Sequence, residues 1–292
     1  MLQILGIIFA GLLGLAFGSF LNVCLSRWPQ GESVVAPRSH CCVCNRTLTW
    51  WENIPLLSWL ALRGRCRTCK TWIGWRYPQV EAAVGGLWAF LGGRWVVNVL
   101  LPSFDGAPTV NPPHSTVEAL GLMILFLLLV GLAVLDAEHL WLPDVVTLPG
   151  AVFGLAFSMF AANQDHPLLQ AALWRRSGLR ALEALAAAGL ILLIRWLYRL
   201  VRKREGLGLG DAKLMALLAA WLGLPGALLA FFVGVFLGSI AAIVLLLKPH
   251  EEATEGWSQI KLPLGTFLCI GGVVSALWGQ TILNAYLRWA GF

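Results

Sequence analysis

Two aspartates and a group of cysteines are the residues whose type and surroundings point to chemistry. Asp136 follows the apolar run LMILFLLLVGLAVL and precedes Ala137-Glu138-His139-Leu140-Trp141-Leu142-Pro143-Asp144. Asp211 stands in Gly206-Leu207-Gly208-Leu209-Gly210-Asp211-Ala212-Lys213, where another apolar segment begins. An ionisable group in an apolar span is costly, so each is a candidate site residue by default. Two neighbouring carboxyls cannot both ionise cheaply and share a proton. The ionised member can take a proton from water while the protonated one polarises a carbonyl. Which aspartate does which is open, because a coupled pair titrates as a unit. Gly206, Gly208 and Gly210 permit close approach of another backbone. The plainer role for Asp211 is a helix N-cap, a position that Asp favours. Asp144 is either a helix-start carboxylate facing the dipole or a support for the site. Gly208, Gly210 and Lys213 join it as supporting candidates.

Five of the seven cysteines fall in one polar stretch, as Cys41-x-x-Cys44 and Cys66-x-x-Cys69 plus Cys42, with twenty-one residues between the pairs. Two such turns can present four sulfurs tetrahedrally to Zn²⁺, closing a loop that has few aliphatic residues to build a core. With all four positions filled by protein, the expected metal role is structural. Cys42 and His40 are extra potential ligands, and an iron–sulfur cluster is the alternative. Cys24 and Cys269 lie in apolar segments and read as inert.

The elements that must hold these groups are membrane helices. The chain has 292 residues, 58% hydrophobic and 12% charged, with mean hydropathy +0.75. Soluble domains carry about 25% charged residues, so lipid is the expected solvent. Fifteen Trp suit the headgroup interface. Spans of about 20 apolar residues are expected near 2–23, 80–101, 118–136, 145–162, 179–200, 212–225, 227–247 and 264–287. The sixth and seventh are divided at Gly223-Leu224-Pro225-Gly226. The first reads as a retained helix because it lacks a basic n-region and a cleavage-site flank. The expected fold is an all-α polytopic membrane protein of about eight transmembrane helices. Its organisation is a first helix (1–23), a cytoplasmic cysteine-rich zinc-binding loop (24–79) and a transmembrane core (80–292). Placing that loop in the cytoplasm puts sixteen Lys and Arg on its side against five opposite (Arg94, Arg175, Arg176, Arg180 and Arg288). By the positive-inside rule both aspartates then face the cytoplasm and both termini lie outside. This distribution also accounts for the net charge of +6 without nucleic acid. External loops are expected at 102–117 and 163–178, and no internal repeat stands out. Glu81, Glu118 and Glu183, near helix ends, read as structural.

Together these residues resemble the bacterial type IV prepilin peptidases, the prepilin leader peptidase/N-methyltransferases of the GxGD aspartic type. The likeness runs through Gly18-Ser19-Phe20-Leu21-Asn22-Val23-Cys24, Arg27-Trp28-Pro29, Pro37-Arg38-Ser39-His40-Cys41 and both CxxC pairs. It continues through Asn53-Ile54-Pro55-Leu56-Leu57-Ser58-Trp59-Leu60, Arg76-Tyr77-Pro78, Glu81, Asp136 to Asp144 and Gly208-x-Gly210-Asp211-x-Lys213. Leu262-Pro263-Leu264-Gly265-Thr266-Phe267-Leu268 looks like a diverged form of the family's Pro-Phe-Gly-Pro-Phe element. The resemblance implies that Asp136 and Asp211 are catalytic and that the chain sits in the bacterial inner membrane. It also implies cleavage of basic leaders from type IV prepilins and type II secretion pseudopilins, and methylation of the new N-terminus from S-adenosylmethionine. No residue is identified as binding that donor. An ion-coupled transporter predicts carboxylates at mid-bilayer and an inverted repeat. A non-catalytic assembly protein would leave the aspartates without a shared purpose.

Overall fold

The computed structural model describes residues 1–97, 115–165, 170–203, 208–247 and 262–291, with side chains described outside 160–177. The regular elements are helical: α1 (Leu2–Arg27), α2 (Leu57–Ala61), α3 (Arg76–Trp95), α4 (Thr116–His139), α5 (Asp144–Asp165), α6 (Gln170–Arg202), α7 (Leu209–Leu247) and α8 (Leu264–Trp289). Strand-like pairing among the described residues is confined to two isolated bridges, His40 with Thr47 and Arg65 with Trp72. Helices dominate because in lipid each backbone polar group must be satisfied within its own segment. Among the described residues, five helical stretches are long and apolar enough to cross a membrane: Leu2–Gln30, Thr116–His139, Gly178–Arg202, Leu209–Leu247 and Leu264–Trp289. The chain is an all-α, multi-pass membrane protein.

The eight expected spans correspond to seven long helices, because two of them are the halves of α7. The expected break falls at Gly223, whose φ of 76° and ψ of 171° interrupt the helical backbone. That region is open essentially to glycine alone. The freed N–H of Leu224 donates to Oε2 of Glu183 at 3.2 Å, and Arg180 pairs with the same oxygen. One difference concerns 163–178: α6 already begins at Gln170, so much of that expected loop is helix. Its Ala, Leu and Arg are strong helix formers. The expected loop residues 102–114, Gly206 and the 248–261 connection lie outside the described residues.

The chain forms two compact units. One holds α1 to α3 and α4 as far as Gly131. Here α1 and α3 pack backbone to backbone: a Cβ on Gly14 would lie 2.9 Å from the Val84 carbonyl oxygen, and one on Gly18 2.9 Å from Cα of Glu81. Without a hydrophobic driving force in lipid, small residues at such a seam supply the contact. The second unit holds α4 from Leu132 and all of α5 to α8, and contains both aspartates. Its α5 and α7 are tied by Trp221, whose indole N–H donates to the Gly150 carbonyl at 3.0 Å.

Candidate active site and cysteine cluster

Asp136 lies in the last turn of α4 and Asp211 in the first turn of α7, and both are buried (6% and 8% exposed). The end of one apolar helix and the start of another bring the two carboxylates within electrostatic reach of each other and of the buried Cys269. Each carboxylate is held by a nearby turn. Oδ2 of Asp136 accepts the backbone N–H of Thr266 at 2.7 Å. The Thr266 hydroxyl donates to the Ala133 carbonyl at 2.8 Å and stands 3.3 Å from the same carboxylate oxygen. Oδ2 of Asp211 accepts the N–H of Gly208 at 3.1 Å, so the residue closes its own turn. Asp211 is therefore not the N-cap but the third residue of α7, and its carboxylate reaches back to the amide of Gly208, the residue before the helix.

Leu142 fills the space beneath. A Cβ on Gly210 would lie 3.1 Å from Cβ of Leu142, and one on Gly265 3.0 Å from its Cδ1 and 2.9 Å from Cγ of Asp136. Gly265 thus lets the start of α8 meet the carboxylate directly. At the rim, Nζ of Lys213 donates to Oδ1 of Asp144 at 2.5 Å, tying the first turn of α7 to the start of α5. Gly208 lies beside the Asp211 carboxylate and Gly210 against Leu142, while Asp144 and Lys213 pair with each other. Thr266 was quoted in the sequence only within a diverged motif, and nothing local to it signals that its amide reaches Asp136.

The four cysteines of the CxxC pairs also come together. Their sulfurs lie within 4.8 Å of one another, with Cys41 Sγ 3.7 Å from Cys69 Sγ and Cys44 Sγ 3.9 Å from Cys66 Sγ. A tetrahedron with metal–sulfur bonds of about 2.3 Å has edges of about 3.8 Å, so the set fits a metal ion. Cys42 is exposed and outside the cluster. The two knuckles repeat each other: Cys41 and Cys66 donate their N–H to the carbonyls of Arg46 and Thr71, and accept from the N–H of Asn45 and Lys70. Asn45 and Lys70 both adopt positive φ (52° and 58°). This short repeat escapes notice in the sequence because the backbone conformation, not residue type, is what recurs. Contacts with the side chain and backbone of Thr71 bring the Cys69 thiol down to about 6, which favours the thiolate a metal needs. Glu52 braces the first knuckle, its carboxylate accepting from Arg46 and from the N–H and hydroxyl of Thr49 at 2.8 and 2.7 Å. The Arg46 hydrogen bond, foremost among these, holds the Glu52 carboxyl down at about 2.

Comparison with known proteins adds the following. Residues 12–95 match the model of the bacterial peptidase A24 N-terminal domain, and residues 123–243 that of the type IV leader peptidase family. A prepilin leader peptidase/N-methyltransferase of Pseudomonas aeruginosa is 33% identical, over 96% of this chain and 93% of its own length. One from Stutzerimonas stutzeri is 33% identical (95% and 92% covered), and one from Aeromonas hydrophila 34% (94% and 92%). No solved structure matches the chain.

Proposed function

The chain belongs to the type IV leader peptidase family, and on that premise we propose that it cleaves prepilins with Asp136 and Asp211 and then methylates the new N-terminus. The observation that carries the peptidase half is the burial of two carboxylates within electrostatic reach of each other, at the ends of two apolar helices. Backbone amides of Thr266 and Gly208 donate to Oδ2 of Asp136 and of Asp211, which holds each carboxylate in place. In the hydrolytic step the ionised aspartate takes a proton from water as the water oxygen adds to the scissile carbonyl carbon. The protonated aspartate gives its proton to the carbonyl oxygen. As the tetrahedral species collapses, the aspartate protonated by water gives that proton to the leaving amine, the C–N bond breaks, and a hydroxyl proton passes to the other aspartate, restoring the one shared proton.

The substrate reading is a basic leader joined to an apolar helix of about 20 residues able to enter the bilayer. Carboxylates at the cytoplasmic edge of the bacterial inner membrane meet the junction of those two parts, in the orientation that the Lys and Arg distribution favours. Hydrolysis by this pair needs no nucleic acid and no ion gradient. The four thiolates of Cys41, Cys44, Cys66 and Cys69 would hold Zn²⁺ with no open position for water, which makes the ion structural. S-adenosylmethionine, when bound, supplies an activated methyl group for the freed N-terminal amine.

The test incubates the purified chain in detergent with a type IV prepilin or a type II secretion pseudopilin and with S-adenosylmethionine, and reads the product by mass spectrometry. Loss of the leader together with the added mass of one methyl group is expected. An intact substrate would contradict the peptidase reading, and a trimmed but unmethylated product would remove the second activity.

A further inference from the structure

The first unit contains a cavity of about 550 Å³ between the end of α1, the start of α3 and the cysteine knuckles. That volume lies in the range of small-molecule sites, roughly 300–1,000 Å³. Its wall includes Asn22, which is 1% exposed. The Asn22 amide nitrogen donates to the Tyr77 carbonyl at 3.0 Å, while its Oδ1 is buried with no hydrogen-bond partner. A buried acceptor left unmade is costly, and such atoms are rare in folded proteins. The wall also includes Glu81, 7% exposed, whose carboxylate accepts the Leu56 N–H at 2.8 Å and a hydrogen bond from the Ser19 side chain. Trp59 and Tyr77 contribute aromatic surface, and Arg67, whose guanidinium lies over the Trp51 ring, is also part of the lining. The guanidinium of Arg27, also on the wall, is engaged by the carbonyls of Ser33 and Pro37 at 2.9 and 2.7 Å.

These groups describe a ligand. An unpartnered amide oxygen asks for an N–H donor, a buried carboxylate for a positive charge, and aromatic rings for a flat heterocycle or a cation. An arginine at the wall can take a carboxylate. A purine nucleoside bearing a sulfonium centre and an amino-acid tail has all four features. We propose that this cavity binds the methyl donor S-adenosylmethionine, with Asn22 Oδ1 as the acceptor for one of its N–H groups. The proposal rests on the methyl-transfer reading above and adds the place where the donor sits. It also gives the cysteine knuckles a second consequence: Cys41, Cys42 and Cys66 form part of the same wall, so a folded knuckle shapes the donor site.

The test uses the full-length, metal-loaded chain in detergent. Equilibrium dialysis with labelled S-adenosylmethionine compares wild type with Asn22→Leu, whose metal content is measured in parallel to show that the knuckles are intact. Loss of the Oδ1 acceptor, together with the amide's bond to the Tyr77 carbonyl, should weaken binding about tenfold or more. A second measurement needs no substitution: Cys42 is exposed, lines the cavity and lies outside the metal cluster, so bound donor should slow its alkylation by maleimide severalfold. Wild-type binding with Asn22→Leu unchanged and Cys42 alkylated at full rate would overturn this site while leaving methyl transfer standing. No binding by the wild type would overturn the methyl-transfer reading, and the site with it.

Discussion

The backbone N–H of Thr266 donates to Oδ2 of Asp136 at 2.7 Å, although the two residues belong to α8 and α4. Because the hydroxyl of Thr266 also grips the Ala133 carbonyl one turn before Asp136, the start of α8 holds both the carboxylate and the helix that carries it. Thr266→Val keeps the amide and removes the hydroxyl. We expect kcat for prepilin cleavage to fall about tenfold with KM little changed, since one neutral hydrogen bond contributes about 0.5–1.5 kcal/mol. Thr266→Ser should restore most of the rate. Equal kcat in Val and wild type would remove Thr266 as a positioning residue.

Gly265 offers a sharper steric test. An added methyl would sit 2.9 Å from Cγ of Asp136 and 3.0 Å from Cδ1 of Leu142, so something must move. Gly265→Ala should reduce cleavage by at least about tenfold through displacement of the carboxylate, as misplacements of about 1 Å can cost roughly 10²-fold. The nearest atoms to a methyl on Gly210 belong to the side chain of Leu142, at 3.1 Å and beyond, so Gly210→Ala should cost less. The reverse order in an activity assay would contradict this packing.

The metal cluster predicts a stoichiometry. Elemental analysis of the purified chain should find about one zinc per chain. Replacing Cys41, Cys44, Cys66 and Cys69 by Ser should remove it, while Cys42→Ser should retain it. Unchanged metal in the fourfold variant would overturn the assignment.

Glu52 gives a pH dependence whose sign is fixed. Its carboxyl, held at about 2 by Arg46 first and Thr49 next, would have its ordinary value of 4.5 in the unfolded chain. A depressed folded value stabilises fully above the unfolded one and is lost as pH falls through the folded one. Between pH 4.5 and about 2, the thermal stability of wild type should fall more steeply than that of Glu52→Gln. Parallel pH profiles would show that the Arg46 pairing contributes nothing.

Much of this was legible in the chain because membrane helices announce themselves by long apolar runs, and carboxylates stand out against them. Asp136 and Asp211 were found on that contrast, and the four metal-competent cysteines on spacing. The α7 break was visible in Gly223-Leu224-Pro225-Gly226, since glycine can adopt the φ of 76° that the turn needs. Glu183 read only as structural, and its carboxylate indeed accepts the amide freed there. Thr266, Gly265 and Leu142 were not legible as neighbours of the aspartates. Their roles come from packing between residues far apart in the chain, and backbone amides and missing Cβ atoms leave no chemical signature in sequence. The unpartnered Oδ1 of Asn22 is the same kind of fact: an asparagine near a helix end is ordinary until its surroundings are known.

The most direct test of the central claim is prepilin processing by Asp136→Asn and Asp211→Asn, each shown by its metal content to be folded in the first unit and by its thermal transition in the second. Asparagine keeps the shape and can still accept from Thr266 or Gly208, but it cannot exchange the proton. Both variants should lose cleavage by about 10²–10⁴-fold or more. Processing by either variant at the wild-type rate would contradict a two-aspartate mechanism.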